Sequence, residues 1–283
     1  MRMNQSIAIM CMLGMAFPVA AFDLGNIDWK KAAETVQKVQ KANAEISEPQ
    51  EIVLGEGIAS NLLGAAPLLD NPAVQEYVNR VGRWLTLQTE RPDLPWQFGV
   101  LDDNDVNAFA APGGYVFITK GLLARMNSEA ELAGVLAHEI SHVLRKHHLK
   151  AIKKGAQTEL LSDLANEAIK SNGSDPRLTK LVSAGTEVYA RGLDKNDEFE
   201  ADRMGVVIAA RAGYDPYGLP AVLQTLQSLN PNDSSLALMF KTHPAVADRL
   251  SQLDREMTGR FARLEDQPDL STRFFKELSA GKR

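Results

Sequence analysis

The spacing of hydrophobic positions changes along the chain, and each change marks an element. Residues 7–20 are almost wholly apolar. Over 27–47, Ile27, Trp29, Val36 and Val39 recur among lysines and glutamines, the pattern of a lightly amphipathic helix that Pro49 interrupts. Residues 51–69 mix apolar positions with Gly55, Gly57 and Gly64, which reads as a helix lying close against something. Asn71-Pro72 then opens a second helix over 73–87, with Val74, Tyr77, Val78, Val81 and Leu85 on one face. After a turn at 91–95 the period drops to two. Residues 96–101 alternate as a strand, 107–110 read as extended, and 115–119 have the β-branched and aromatic content of a strand. Ala111-Pro112-Gly113-Gly114 is the turn between the last two.

Helical spacing returns at Ser128. Ser128-Glu129-Ala130-Glu131 has the form of a capping box and predicts a helix over 129–150. A long, largely helical insert follows over 151–194, broken near 171–176. A further helix is predicted from 194–197 to Ala212, capped by Gly213 with Pro216 beyond. The tail from Gln267 is polar and is expected to be peripheral. The predicted class is α+β, mainly helical, with a small sheet beside the 129–150 helix. The expected organisation is a signal peptide over 1–21, an N-terminal helical segment over 22–70, the main domain over 71–265 and a tail over 266–283.

Composition adds a compartment and some exclusions. At 45% hydrophobic and 24% charged residues the chain is ordinary for a soluble globular protein. A formal net charge of -5 argues against nucleic acid or an anionic membrane surface as the main partner. Arg2 before the apolar run and Val19-Ala20-Ala21 after it make the first residues a secretory signal, and the run falls short of the ~20 residues a spanning helix needs. The only cysteine, Cys11, lies inside that run behind Ile9 and Met10, without the small residues of a lipid-attachment signal. Once the signal is cleaved, no disulfide and no thiolate chemistry is open to the chain. Such a chain suits a bacterial periplasm.

The chemistry concentrates in His138-Glu139-Ile140-Ser141-His142. Histidines four apart on a helix share one face, one turn apart, and two neutral imidazoles at that distance can bind one zinc ion. Glu139 can reach the open side of the metal and act as general base toward the water held there. The helix is flanked by Leu132, Val135, Leu136, Val143 and Leu144, so an unpartnered pair of histidines would be costly in it. At about 100° per residue His142 lies about 40° from His138, whereas His147 lies about 180° and His148 about 280° away. Those two are read as the exposed basic end of the helix. A third ligand is then sought among the carboxylates of 197–202. Glu198 and Asp202 share a face and Glu200 points elsewhere; spacing alone favours Glu198 slightly, and a charged helix start favoured by the macrodipole is the equal alternative.

Together these motifs resemble peptidase family M48. HEISHV, the later Glu198-Phe199-Glu200-Ala201-Asp202-Arg203, the stretch 107–123 (NAFAAPGGYVFITKGLL) and Thr242-His243-Pro244 with Arg249 are similar to that family's ordered motifs. The resemblance covers roughly 71–253. It implies a gluzincin-type zincin domain holding one zinc ion, with His138, His142 and Glu198 as ligands, Asp202 as the supporting acid and Glu139 as base. It implies an active-site role for His243, which would either hydrogen-bond the transition state or close over the metal at rest. Arg249 would pair with an acid near the site or bind a substrate carbonyl. It also implies that the strand 115–119 offers an edge, so that Tyr115, Val116 and Phe117 would hold an extended peptide through backbone hydrogen bonds. Family members with membrane spans or C-terminal helical repeats differ from this chain, which is expected to be the compact exported form.

The function expected is zinc-dependent endopeptidase action on unfolded or extended polypeptides, misfolded or envelope proteins above all, with an association with the outer-membrane or envelope assembly machinery. The alternatives are a periplasmic chaperone or assembly factor with a self-inhibited protease site, and a zinc hydrolase of small amides.

Overall fold

The computed structural model describes residues 45–155, 192–230, 232–243, 246–264 and 266–280. The expected signal at 1–21, most of the helix expected over 27–47 and the insert over 156–191 lie outside the described residues. Residues Ile46–Arg283 form one unit.

Ser47 opens helix α1 (Glu48–Ala65). Gln50 Oε1 accepts the Ser47 N–H at 3.0 Å, and Pro49 sits in the first turn, where a missing N–H is harmless. Gly55 of α1 lies against the 111–114 turn: a Cβ there would stand 1.7 Å from the Pro112 carbonyl oxygen, so only glycine permits the contact. Helix α2 (Pro72–Thr86) is capped by Asn71, whose side chain accepts the Val74 N–H at 3.3 Å. Its apolar face, including Val74, Tyr77, Val78 and Leu85, is buried.

Three strands follow: β1 (Gln97–Leu101), β2 (Ala108–Ala111) and β3 (Tyr115–Thr119). The spatial order is β1-β3-β2, with β1 parallel and β2 antiparallel to β3. On the other side of β1, the Gln75 amide donates to Val100 O and accepts the Val100 N–H, both at 2.8 Å, and Asn79 does the same at Phe98. Two side-chain amides thus stand in for a neighbouring strand and close that edge. The expectation that Tyr115, Val116 and Phe117 offer a strand edge is therefore wrong. β3 is central, paired with β1 along its whole length and with β2 from Tyr115 to Ile118. Its β-branched, unbroken apolar run is that of a strand covered on both faces.

After the short α3 (Lys120–Leu123), Ser128 Oγ accepts the Glu131 N–H at 3.1 Å and starts α4 (Glu129–Leu144). Every residue of α4 is buried, as befits a helix at the centre of a domain. It ends at Leu144 instead of running to 150. Lys146 takes a left-handed conformation (φ 58°), and helix α5 restarts over 147–155. Helix α6 (Lys195–Arg211), capped by Asp194, crosses α4 at Gly205, where a Cβ would stand 2.9 Å from the His138 nitrogen. Helices α7 (Gly218–Ser228), α8 (Ala237–Thr242), α9 (Val246–Met257) and α10 (Ser271–Ser279) complete the described chain.

The tail is not peripheral. Phe274 of α10 is fully buried in the main core. Arg273 forms a two-pronged pair with Glu129 at the start of α4, and the hydroxyls of Tyr77 and Tyr214 donate to the same carboxylate at 2.9 and 2.8 Å. The one-sided apolar pattern of 271–279 is short and was hidden by its many charges. No helix among the described residues is long and apolar enough to cross a membrane.

Candidate metal centre

The α4–α6 crossing brings the chemistry together. His138 and His142 project from α4 with their Nε2 atoms 3.0 Å apart. Glu198, in the first turn of α6, sets Oε2 3.6 Å from His138 Nε2 and Oε1 3.5 Å from His142 Nε2. His243, at the C-terminal end of α8, brings Nδ1 to 3.0 Å from Glu198 Oε2. Ligand atoms of His138, His142, Glu198 and His243 all lie within 4.8 Å of one another, and all four residues are buried. Gly205 is what lets the helices approach this closely at His138. Glu139 lies beside the set, its Oε1 4.0 Å from His243 Nε2.

A ring of supporting contacts surrounds the four. Asp202, one turn after Glu198, has Oδ1 2.9 Å from His138 Nδ1. Arg249 of α9 holds Asp202 with Nε at 2.8 Å and Nη2 at 2.6 Å, and Nη1 stands 3.4 Å from Glu198 Oε2. Of the two roles expected of Arg249, the structure shows the pairing with acids. Its Nη2 is also 3.4 Å from His138 Nδ1. The shorter contact with Asp202 decides the geometry, because only the carboxylate can accept the proton of Nδ1. His147 and His148 are not exposed: both are buried, and His147 Nδ1 lies 3.0 Å from His142 Nδ1. The break at Lys146 redirects them, which even helical spacing did not foresee.

The charges favour a divalent cation. Among the described residues, three buried carboxylates (Glu139, Glu198 and Asp202) face one buried guanidinium, that of Arg249, a deficit of two positive charges. Burial pushes the Glu139 carboxyl above its usual range, against the pull of His243 and His138. Burial would raise Glu198 as well, but the charge and hydrogen bond of His243 and the charge of Arg249 hold it down at about 2. At Asp202 burial is again overruled, here by Arg249 and His138, and the carboxyl lies well below the ordinary range. His243 is pushed up to about 9: burial disfavours its charge, but Glu198 and Glu139 outweigh burial. A proton on His243 would thus offset part of the deficit that a metal ion could fill.

Geometry agrees with charge. Nitrogens about 2.0–2.1 Å from a tetrahedral zinc lie about 3.3 Å apart, and the separations of 3.0, 3.5 and 3.6 Å bracket that value. Glu198 Oε1 and Glu139 Oε2 are buried without a hydrogen-bond partner, a costly condition that a cation and its water relieve. Two imidazoles and a carboxylate are a donor set suited to zinc.

The site opens on a cleft with an apolar wall that includes Leu122, Val135, Leu219, Leu223 and Met239. Asn107 and Ala108 line it together with His138, Glu139, His243 and Arg249. Asn107 was not singled out from the sequence. It is fully buried, its Oδ1 accepts the Ala108 N–H at 3.0 Å, and its Nδ2 has no partner. An asparagine amid the apolar run Val106 to Ala111 was the available signal.

A mainly helical domain, a three-stranded sheet and an HExxH helix crossed by a carboxylate-bearing helix define a zincin-like metallopeptidase. The profile of Peptidase family M48 matches residues 72–257, and the chain belongs to that family. It is similar to the beta-barrel assembly-enhancing protease of Escherichia coli (strain K12), 28% identical over 241 residues that cover 82% of this chain and 50% of the relative. The protein of that name from Yersinia pestis is 31% identical over 220 residues, 74% of this chain and 44% of the relative. The mitochondrial metalloendopeptidase OMA1 of Arabidopsis thaliana is 27% identical over 183 residues, 64% and 36% of the two chains. The chain spans about half the length, or less, of these relatives.

Proposed function

We propose that the chain is a zinc-dependent endopeptidase acting on extended stretches of exported, unfolded or misfolded envelope proteins in the bacterial periplasm. The observation that carries this reading is Glu139: a buried carboxylate with an unpartnered Oε2, beside the four ligand residues and on the wall of an open cleft. When bound to His138, His142 and Glu198, zinc supplies Lewis acidity that polarises a carbonyl and lowers the pKa of water. Glu139 Oε2 takes the proton of the attacking water as its oxygen bonds the scissile carbonyl carbon. It returns that proton to the amide nitrogen as the C–N bond breaks. His243 stands across from Glu139, placed to hydrogen-bond the carbonyl oxygen as negative charge develops. Arg249 and Asp202 hold His138 and Glu198 in place. Backbone recognition falls to the start of β2 instead of β3: Asn107 Nδ2 is a ready donor for a substrate carbonyl, and the apolar wall suits an apolar neighbouring side chain. The apolar run at 7–20 and the name of the Escherichia coli relative support the envelope as location and its assembly machinery as partner.

The test is cleavage of an unfolded polypeptide by zinc-loaded protein. Wild type is expected to cleave, and Glu139→Gln to keep its zinc but lose the activity. No cleavage by wild type or by His243→Ala would sink the protease reading. A second reading, a chaperone or assembly factor whose site His243 holds shut, draws on the nearness of His243 to the other three ligand residues. If His243 closes the site, His243→Ala cleaves faster than wild type; if it serves the transition state, the variant is slower.

A further inference from the structure

Among the described residues, the buried His147 and the part-exposed Glu200 make a contact chain that the reaction above does not use. His142 Nδ1 lies 3.0 Å from His147 Nδ1, and His147 Nε2 lies 3.2 Å from Glu200 Oε2 and 3.6 Å from Asp197 Oδ1. Arg145 Nε donates to Glu200 Oε1 at 2.6 Å and fixes that carboxylate. The side chains of His142 and His147 are completely buried, so water does not compete for the contact between them, whereas Glu200 is about one third exposed (31%).

Two imidazole Nδ1 atoms at 3.0 Å need one proton between them. If His147 Nδ1 carried it, the neutral His147 would turn a bare Nε2 toward two carboxylates, lone pair against negative charge. His142 Nδ1 would then be the acceptor, and its proton would sit on Nε2, where it blocks a metal. The opposite order satisfies every atom of the chain from His142 Nδ1 to Glu200. His142 Nδ1–H donates to His147 Nδ1, and His147 Nε2–H donates to Glu200 Oε2. His142 Nε2 is then left with a free lone pair facing His138 Nε2 and Glu198.

We propose that His147, anchored by Glu200, is a positioning residue that sets the tautomer of His142 and so presents its Nε2 as a metal ligand. The assignment rests on the metallopeptidase reading given above. It parallels the service Asp202 performs for His138, but with an imidazole inserted between ligand and carboxylate. The backbone is shaped for it. On an unbroken helix His147 would lie about 140° from His142, out of reach. The left-handed Lys146 swings it back, and the Lys146 ammonium is tied 3.0 Å from the buried Glu51. A non-glycine residue in that conformation is disfavoured, and it persists where surrounding contacts impose it.

The experiment combines zinc affinity, measured by competition with a chromogenic chelator, with the ring tautomer of His142, read from long-range ¹⁵N–¹H NMR of metal-free wild type. His147→Phe keeps a ring and removes both nitrogens; His147→Gln can still accept from His142 and donate to Glu200. Expected are an Nδ1–H tautomer for His142, a zinc affinity about 10–100-fold weaker in His147→Phe, and recovery of most of that loss in His147→Gln. A His142 protonated at Nε2 overturns the proposal, whether or not the variants fold. So does His147→Phe binding zinc within about threefold of wild type, or His147→Gln binding as poorly as His147→Phe. Wild type that binds no zinc sinks the metallopeptidase reading itself, an outcome separate from the loss of the tautomer assignment alone.

Discussion

Replacing Arg249 with methionine removes the guanidinium that, alone among the described residues, faces the buried carboxylates of the metal centre, while keeping an apolar stem of similar length. Asp202 loses two charge-assisted hydrogen bonds, at 2.8 and 2.6 Å, and Glu198 loses a cation 3.4 Å away. Removing one partner of a buried pair costs about 3–5 kcal/mol, mostly through the charge left unpaired. His138 still touches Asp202 at 2.9 Å, so the lower end, about 3 kcal/mol, is expected in metal-free protein. For a domain of this size that lowers Tm by about 6–12 °C. With zinc bound the loss is smaller, because the ion supplies positive charge beside Glu198. Adding Asp202→Asn removes the orphaned charge, so the double variant is expected to regain about 2 kcal/mol relative to the sum of the singles. Thermal unfolding followed by circular dichroism, in chelator and in zinc, measures all of these. A Tm for Arg249→Met within about 2 °C of wild type in chelator, or singles that simply add, would refute the reasoning.

Three further outcomes are expected. Glu51 binds Arg91 and Lys146, each at 3.0 Å, and the Gly113 N–H at 3.3 Å; burial raises its carboxyl, but the two cations outweigh it and leave it below its ordinary 4.5. A carboxyl depressed in the folded state stabilises above its unfolded pKa and stops doing so as pH falls through the folded value. Below pH 4.5 the denaturant midpoint of Glu51→Gln should therefore fall less steeply with acid than that of wild type; parallel curves would contradict this. Phe274→Ala empties a fully buried site under α10 and should cost about 3–5 kcal/mol in urea unfolding; a change below about 1 kcal/mol would return the tail to the periphery. Gly55→Ala puts a methyl 1.7 Å from Pro112 O, so α1 must lift from the 111–114 turn. Hydrogen exchange over 48–65 should speed up, and unchanged protection would show the contact to be dispensable.

Regular periodicity made much of this legible. The helical face of 73–87, the Ser128 N-cap and the strand content of 115–119 appear as α2, α4 and β3, although Glu131 accepts the Asn127 N–H and so leaves the box at Ser128 half formed. HExxH spacing placed two imidazoles on one face because that follows from helix geometry alone. What pattern could not supply was set by tertiary contact. Whether β3 is an edge depends on its pairing with both β1 and β2, which the 115–119 stretch does not itself record. His147 was misplaced because the 3.6-residue count assumes an unbroken helix, and Lys146 breaks it without a glycine or proline to announce the fact. The choice between Glu198 and Glu200 was near even from spacing. In the fold the two carboxylates, two residues apart, lie on different sides of α6: Glu198 meets His138 and His142, and Glu200 meets Arg145 and His147.

The most direct test of the metal centre is elemental analysis of protein loaded with zinc and then freed of excess, for wild type, Glu139→Gln and Glu198→Ala. One zinc per chain is expected in wild type and in Glu139→Gln, since Glu139 serves the proton and not the ion. Glu198→Ala, which removes the carboxylate lying between His138, His142 and His243, is expected to retain far less. Wild type free of zinc, or Glu198→Ala loaded as fully as wild type, would contradict the assignment of this cluster as the metal site.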